Sequence, residues 1–337
     1  MKKWIKSQKN LELVQTLSGE RKGSLFSVMD YTVTSPGARL LASCLLAPLM
    51  DVKRIGARLD NVECLVNAEE LRTTARATLK SAPDMERALS RLSLGRGGPR
   101  DLLALGAGLY AAHQLRMLLE KQEQPELPAG LLALRDALGG HEELIERLRT
   151  SLKADAGMFA RDGNFINDGY HAGLDTLRSL KNEGARMVAS LQQKYIDTTG
   201  IATLKIRYNN ILGYYIEITQ THQSKVTNDF IHRQTLANNL RYTTVELSEL
   251  ERNISEAADK ALKLELEIFA ELLQEVISCQ ERIIATARSL AHIDVFASLA
   301  ELAVTARYAR PVVDESLAFE ITGGRHPVVE AALAKQN

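Results

Sequence analysis

Apolar residues recur at three- and four-residue spacing along most of the chain, which predicts helices almost throughout. Over the first 155 residues the pattern comes in short and medium segments with clear stops. Ser35-Pro36 opens a helix carrying Leu40, Leu41, Leu45 and Leu46, and Ala47-Pro48 closes it. Asp51 is placed to cap the next, whose stripe is Ile55, Leu59, Val62, Leu65 and Val66. Pro83-Asp84 opens another, with Met85, Leu89 and Leu92 on one face. Gly97-Gly98-Pro99 breaks the chain before a longer helix over about 100–121, with proline in the first turn, where a missing N–H costs nothing. The Gln124–Pro128 linker and Gly139-Gly140 set off two more helices.

The pattern changes over 155–170, where Gly, Asn and Asp crowd together and predict turns with one short extended piece. A helix follows over about 171–198, with Leu174, Leu177, Val188, Leu191 and Tyr195 as its seam and Gly200 as its stop. Residues 201–243 are the β territory. Ile201–Tyr208 and Gly213–Thr219 are rich in Ile, Tyr and Thr, Asn209-Asn210 supplies the turn between them, and Phe230–Thr235 reads as a further strand. From Thr244 the helical spacing resumes through Leu247, Leu250, Ile254, Ala257, Ile268, Leu272, Val276, Ile283, Leu290 and Leu299, with no proline before Pro311. Glu256 with Lys260 and Asp259 with Lys263 are spaced for i,i+4 support. Unbroken, that helix would span roughly 90 Å, more than a globular core can cover. Its expected partner is the 171–198 helix, running antiparallel. Leu317–Ile321 reads as a strand, and Gly323 to Pro327 as a turn. The predicted fold is therefore mainly α: a helical body over 1–155, a connecting segment and first long arm helix over 156–200, a small β-rich module at the tip over 201–243, a second long helix over 244–310 returning to the body, and a terminal piece over 311–337.

Composition changes this picture little. The 337 residues are 45% hydrophobic, 25% charged and only 5% aromatic, a helical mixture. Formal charge is zero, so any surface for nucleic acid must be a local patch. The amino terminus is basic (Lys2, Lys3, Lys6, Lys9), without the apolar core of a signal peptide. Cys44, Cys64 and Cys279 lack CxxC spacing and read as reduced thiols. No uninterrupted apolar run approaches the roughly 20 residues of a membrane span, and a cytoplasmic location without membrane contact is expected. Catalytic chemistry is not legible: there is no HExxH, no GxSxG and no GxxxxGK[ST]. Gly95-Arg96-Gly97-Gly98 reads as a turn between helices. No catalytic residue, metal ligand or cofactor is assigned to this chain.

Several strings, taken in order, resemble the MutS family of DNA mismatch repair proteins. Gly23-Ser24-Leu25, Asp30, Thr32-Val33-Thr34 and Gly37-Ala38-Arg39-Leu40-Leu41 open the series, followed by Pro48-Leu49 and Arg58-Leu59-Asp60. Leu94-Gly95-Arg96 with Pro99-Arg100-Asp101-Leu102 continues it. In the β territory come Thr199-Gly200, Leu204-Lys205, Tyr208-Asn209, Gly213-Tyr214-Tyr215-Ile216-Glu217, Arg233-Gln234-Thr235-Leu236-Ala237-Asn238 and Arg241-Tyr242. Gly323 to Glu330 closes it. The matches cover nearly the whole chain in one order.

The resemblance implies a core or lever body, two arms and a clamp that touches the duplex backbone without reading sequence. It implies duplex DNA as partner, a homodimer enclosing the DNA, a MutL-type repair partner, and ATP with magnesium in an ATPase domain that begins near residue 311. Bacterial relatives would work at the nucleoid. Gln234, Thr235, Asn238 and Arg241 are the DNA-contact candidates that the resemblance carries over, and Lys205, Arg207 and Lys225 are added on charge. Leu240 stands where the family often has an acidic residue, so a different local surface is expected. The resemblance implies that the family's mismatch-reading Phe-x-Glu element belongs to an amino-terminal domain and its Walker motif to the region after Gly323–Glu330, so neither mismatch preference nor ATP hydrolysis is expected of this polypeptide alone. Two other readings remain: a mechanical, assembly or recombination-type paralogue with little DNA binding, and a coiled-coil scaffold, which accounts for the long helix but not for the ordered strings.

Overall fold

The computed structural model describes residues 10–209 and 211–334, so Lys2, Lys3, Lys6, Lys9 and Asn210 lie outside the described residues. The chain divides into two compact units, Met1–Arg149 with Leu273–Asn337, and Thr150–Leu272.

The first unit is helical. Its elements in chain order are α1 (Leu25–Met29), α2 (Ser35–Leu46), α3 (Val52–Asn67), α4 (Glu69–Lys80), α5 (Met85–Ser93), α6 (Pro99–Glu120), α7 (Ala129–Asp136) and α8 (Glu142–Ser151), the last running into the second unit. Predicted caps are in place: Asp51 accepts from the Arg54 amide at 2.8 Å, and Asp84 from the Arg87 amide at 3.3 Å. The helices surround α11 (Gln280–Ala306), which packs against α2, α3, α4, α5, α6 and α7. Between Ser289 and Ser298 all but His292 are buried, so over this stretch the helix has no solvent face to mark its period. Two helices, α6 and α11, reach a mean hydropathy of 1.2 and 1.3, enough by length and composition to cross a membrane. Neither is an uninterrupted apolar run, since Arg100, Asp101 and Arg116 interrupt the first and Arg288 and Asp294 the second. Their apolar positions are taken up by this core, with Leu102, Leu105, Leu109, Leu115, Ile283 and Ile293 at 0% exposure.

The predicted single helix from Thr244 to Ala306 is two helices, α10 (Val245–Ser278) and α11. Cys279 between them has φ −100° and ψ 6°, and its amide is shared between the carbonyls of Glu275 and Val276. The Ser278 hydroxyl donates to that same Glu275 carbonyl at 2.7 Å and competes with the helical ladder there. Leu317–Ile321 is not a strand either. It has the alternation of one, but nothing among the described residues pairs with it, and Leu317, Phe319 and Ile321 stand exposed. The residues after the predicted turn form α12 (Pro327–Leu333), capped by His326.

In the second unit, α9 (Ala172–Thr199) ends at Gly200 in the left-handed conformation, φ 66°. It runs antiparallel to α10. Arg178 meets Glu265, Gly184 meets Ile254, and Tyr195 meets Thr244, so one number falls as the other rises. The Thr244 hydroxyl also accepts from the Leu247 amide at 3.0 Å, which starts α10 against α9. Glu256 and Lys260 do pair, at 3.5 Å, whereas Lys263 turns to Glu267 instead of Asp259. At Gly184 the helices approach so closely that a Cβ would lie 2.3 Å from Cγ1 of Ile254. Gly184→Ala should therefore lower the stability of this unit by about 1–3 kcal/mol through overpacking, although alanine in a free helix would raise it. Thermal unfolding checks this, and an unchanged or higher midpoint would show that Ile254 moves aside freely.

Candidate nucleic-acid interface

The β territory forms one antiparallel sheet in the order β1 (Lys205–Asn209), β2 (Gly213–Thr219), β4 (Asn239–Thr243), β3 (Ile231–Thr235). Two details differ from the sequence reading. The first strand starts at Lys205 and not at Ile201, because Ile201 and Leu204 turn inward as core, and β4 was not foreseen.

Strand alternation gives the sheet two faces. Ile206, Ile216, Ile218, Leu240 and Tyr242 share one, and pack with Leu191, Tyr195, Ile201, Leu204 and Leu247. Leu240 is thus a core residue at 4% exposure, not part of a surface altered by loss of an acid. On the other face the register sets Lys205 and Arg241 opposite Glu217, Arg207 opposite Tyr215, and Gln234 opposite Arg241. Four of the seven candidates named from sequence therefore share one face: Lys205, Arg207, Gln234 and Arg241. The remaining three lie off that face, Thr235 standing opposite the core residue Leu240 in the register. Thr235 ends the edge strand and bonds His232 at 3.0 Å, Asn238 is exposed in the β3–β4 turn, and Lys225 is exposed at the end of the 3-10 turn Gln220–Lys225.

The shared face is not a plain row of cations. Glu217 pairs with Arg207 at 3.2 Å and with Arg241 at 3.4 Å. Arg241 also donates to Oε1 of Gln234 at 2.9 Å, and its guanidinium lies 4.5 Å from the centroid of the Tyr215 ring. Tyr215 is covered by this contact and is 5% exposed, so it offers no stacking platform for a base. Arg233 belongs to the strings that carry the resemblance but is not among the seven contact candidates. The bulge between His232 and Gln234 leaves it outside the ladder, exposed and without an ion pair among the described residues. Lys205 and Lys225 are likewise unpaired there.

Charge segregates by element. Residues 201–244 carry five Lys and Arg against two Asp and Glu, while residues 245–278 carry three against nine. The neutral total conceals a basic sheet joined to an acidic helix. A polyanion is drawn to the first and repelled by the second.

The sequence profile of the MutS domain III family matches residues 6–300. The chain is 49% identical over 334 residues to the DNA mismatch repair protein MutS of Rhizobium meliloti (strain 1021), covering 97% of this chain and 36% of that protein. It is 49% identical over 333 residues to the protein of that name from Rhodopseudomonas palustris (strain BisB18), with the same coverage. For the MutS of Cereibacter sphaeroides the identity is 47%, over 98% of this chain and 38% of that protein. The chain thus spans a little over a third of the length of these relatives. A helical body, a small antiparallel sheet carrying part of the ordered strings, and a profile match over most of its length agree: the chain belongs to the MutS family, in the region of its domain III.

Proposed function

We propose that this chain holds duplex DNA by its phosphate backbone, through the exposed cations of the sheet, without reading base sequence. The observation that carries this is the concentration of Lys205, Arg207, Lys225, Arg233 and Arg241 in one module beside an acidic helix. Lysine and arginine contacts to phosphate position a protein on DNA and leave base identity unread. In this reading the antiparallel helices α9 and α10 couple the DNA-bound sheet mechanically to an ATPase elsewhere in a whole MutS protein. ATP and magnesium, a second copy of the chain and a MutL-type partner belong to that whole protein, at work on DNA in the cytoplasm. This stretch contributes grip and leverage, and no catalytic group.

Fluorescence anisotropy on matched and mismatched duplexes tests the reading. Binding should be equal on both and should weaken with salt, with a log–log slope of about −3 to −4 if roughly four phosphates are engaged. Lys205→Glu with Arg233→Glu, both exposed and unpaired, should abolish binding while the thermal transition is kept. No binding of the unaltered chain even at low salt would favour the mechanical alternative, a reading already encouraged by the way Glu217 occupies two of the arginines.

A further inference from the structure

Glu217 stands at the centre of the polar face, with Lys205 opposite it on β1 and Arg241 opposite it on β4. Its two oxygens are divided: Oε1 is 3.2 Å from Nε of Arg207, and Oε2 is 3.4 Å from Nε of Arg241. No other carboxylate among the described residues forms an ion pair with either arginine. The carboxylate is only 13% exposed, whereas the Arg207 side chain is 53% exposed and can swing outward. Two arginines therefore share a single internal anion, while Lys205, opposite it in the register, forms no ion pair with it.

A carboxylate and a phosphodiester carry the same charge and present two acceptor oxygens to a guanidinium in the same way. The position that Glu217 fills between the arginines is chemically the one that a backbone phosphate would take. We infer that Glu217 is an internal phosphate surrogate that DNA displaces, and that it holds down the affinity of the sheet for the duplex. This rests on the reading of the module as a backbone clamp. Displacement begins at Arg207, the more exposed partner, while Arg241 stays anchored by Gln234 and Tyr215.

The opposite role is also definite. If Glu217 only aims the two guanidinium groups, removing its charge scatters them and weakens binding. Glu217→Gln is nearly isosteric and separates the two. Matched duplex binding by the full chain is followed by anisotropy from 50 mM to 500 mM salt, for the unaltered protein, Glu217→Gln and Lys225→Gln. Glu217→Gln should bind on the order of tenfold more tightly at low salt, with a slope steeper by about 1, since one more phosphate is neutralised. Lys225→Gln should bind more weakly with a shallower slope. Equal or weaker binding by Glu217→Gln, when the unaltered chain binds, overturns the inference and leaves the clamp reading standing. Failure of all three proteins to bind overturns both. An unchanged thermal midpoint and a perturbed Arg207 Nε resonance in Glu217→Gln would tie the gain to the freed side chain, whereas an unperturbed resonance would count against it.

Discussion

Arg178→Ala is expected to destabilise the second unit by about 3–5 kcal/mol, the largest single-residue effect anticipated in this chain. Arg178 on α9 donates to Oδ1 of Asp168 at 2.5 Å, to the carbonyl of Ile166 at 2.8 Å, and to Oε1 of Glu265 on α10 at 2.5 Å. One guanidinium thereby joins two antiparallel helices and the turn-rich segment before them. Glu265 is 3% exposed, and its other oxygen has no hydrogen-bond partner among the described residues. Truncating Arg178 would leave a buried carboxylate with no counterion, which is costly even where the intact pair adds little net stability. The double change Arg178→Met with Glu265→Leu should recover most of the loss, because it removes both charges and keeps volume. Hydrogen exchange resolved along the chain would show early opening of residues 172–199 and 245–272 in the single variant. A loss under about 1 kcal/mol would mean that water already satisfies Glu265.

Asp294→Ala should cost the first unit about 3 kcal/mol. Asp294 lies on the central helix α11 at 0% exposure and accepts from the amides of Val33 and Thr34 at 3.0 and 2.9 Å and from the Thr34 hydroxyl at 2.6 Å. Thr34 in turn caps α2 through the Gly37 amide at 3.0 Å. One carboxylate therefore holds the start of α2 onto α11 from 260 residues away, and its loss leaves three part-buried donors without their acceptor. Burial pushes the Asp294 carboxyl above the usual carboxylate range, and these hydrogen bonds oppose the shift without cancelling it. The sign follows. Between the unfolded value near 4 and the raised folded value, the native state holds a proton that the unfolded chain has released. Stability from this group is therefore greatest at low pH, falls as pH rises through that window, and is flat above it. Subtracting the stability of Asp294→Asn from that of the unaltered chain at each pH isolates this slope. A difference that grew with pH would show the hydrogen bonds outweighing burial.

Local signals were legible wherever the chain answers to its near neighbours. Asp51 and Asp84 at helix starts, Gly200 at a helix end, and the β-branched and aromatic alternation of Gly213–Thr219 act within a few residues. They survive in the structure as read. The candidate cations Lys205, Arg207 and Arg241 were legible as charges in a β-rich stretch, but their company was not. That Glu217 sits among them depends on a register linking three strands.

The remaining differences share one physical cause. Asn239–Thr243 is not among the strands predicted from sequence and becomes one because β2 and β3 flank it on both sides. Leu317–Ile321 has better alternation and is not a strand, because nothing among the described residues flanks it. Over Ser289–Ser298 the helices packed on α11 leave only His292 partly exposed, and periodicity has little to report where there is no solvent face. By itself the sequence determined the helical class, the caps, the place of the β module and the segregation of charge, because these follow from local conformational preference and composition. The tertiary structure alone decided which charges are spent on one another, Glu217 with Arg207 and Arg241, and Arg178 with Glu265, because long-range pairing depends on the geometry of closure and leaves no trace in local spacing.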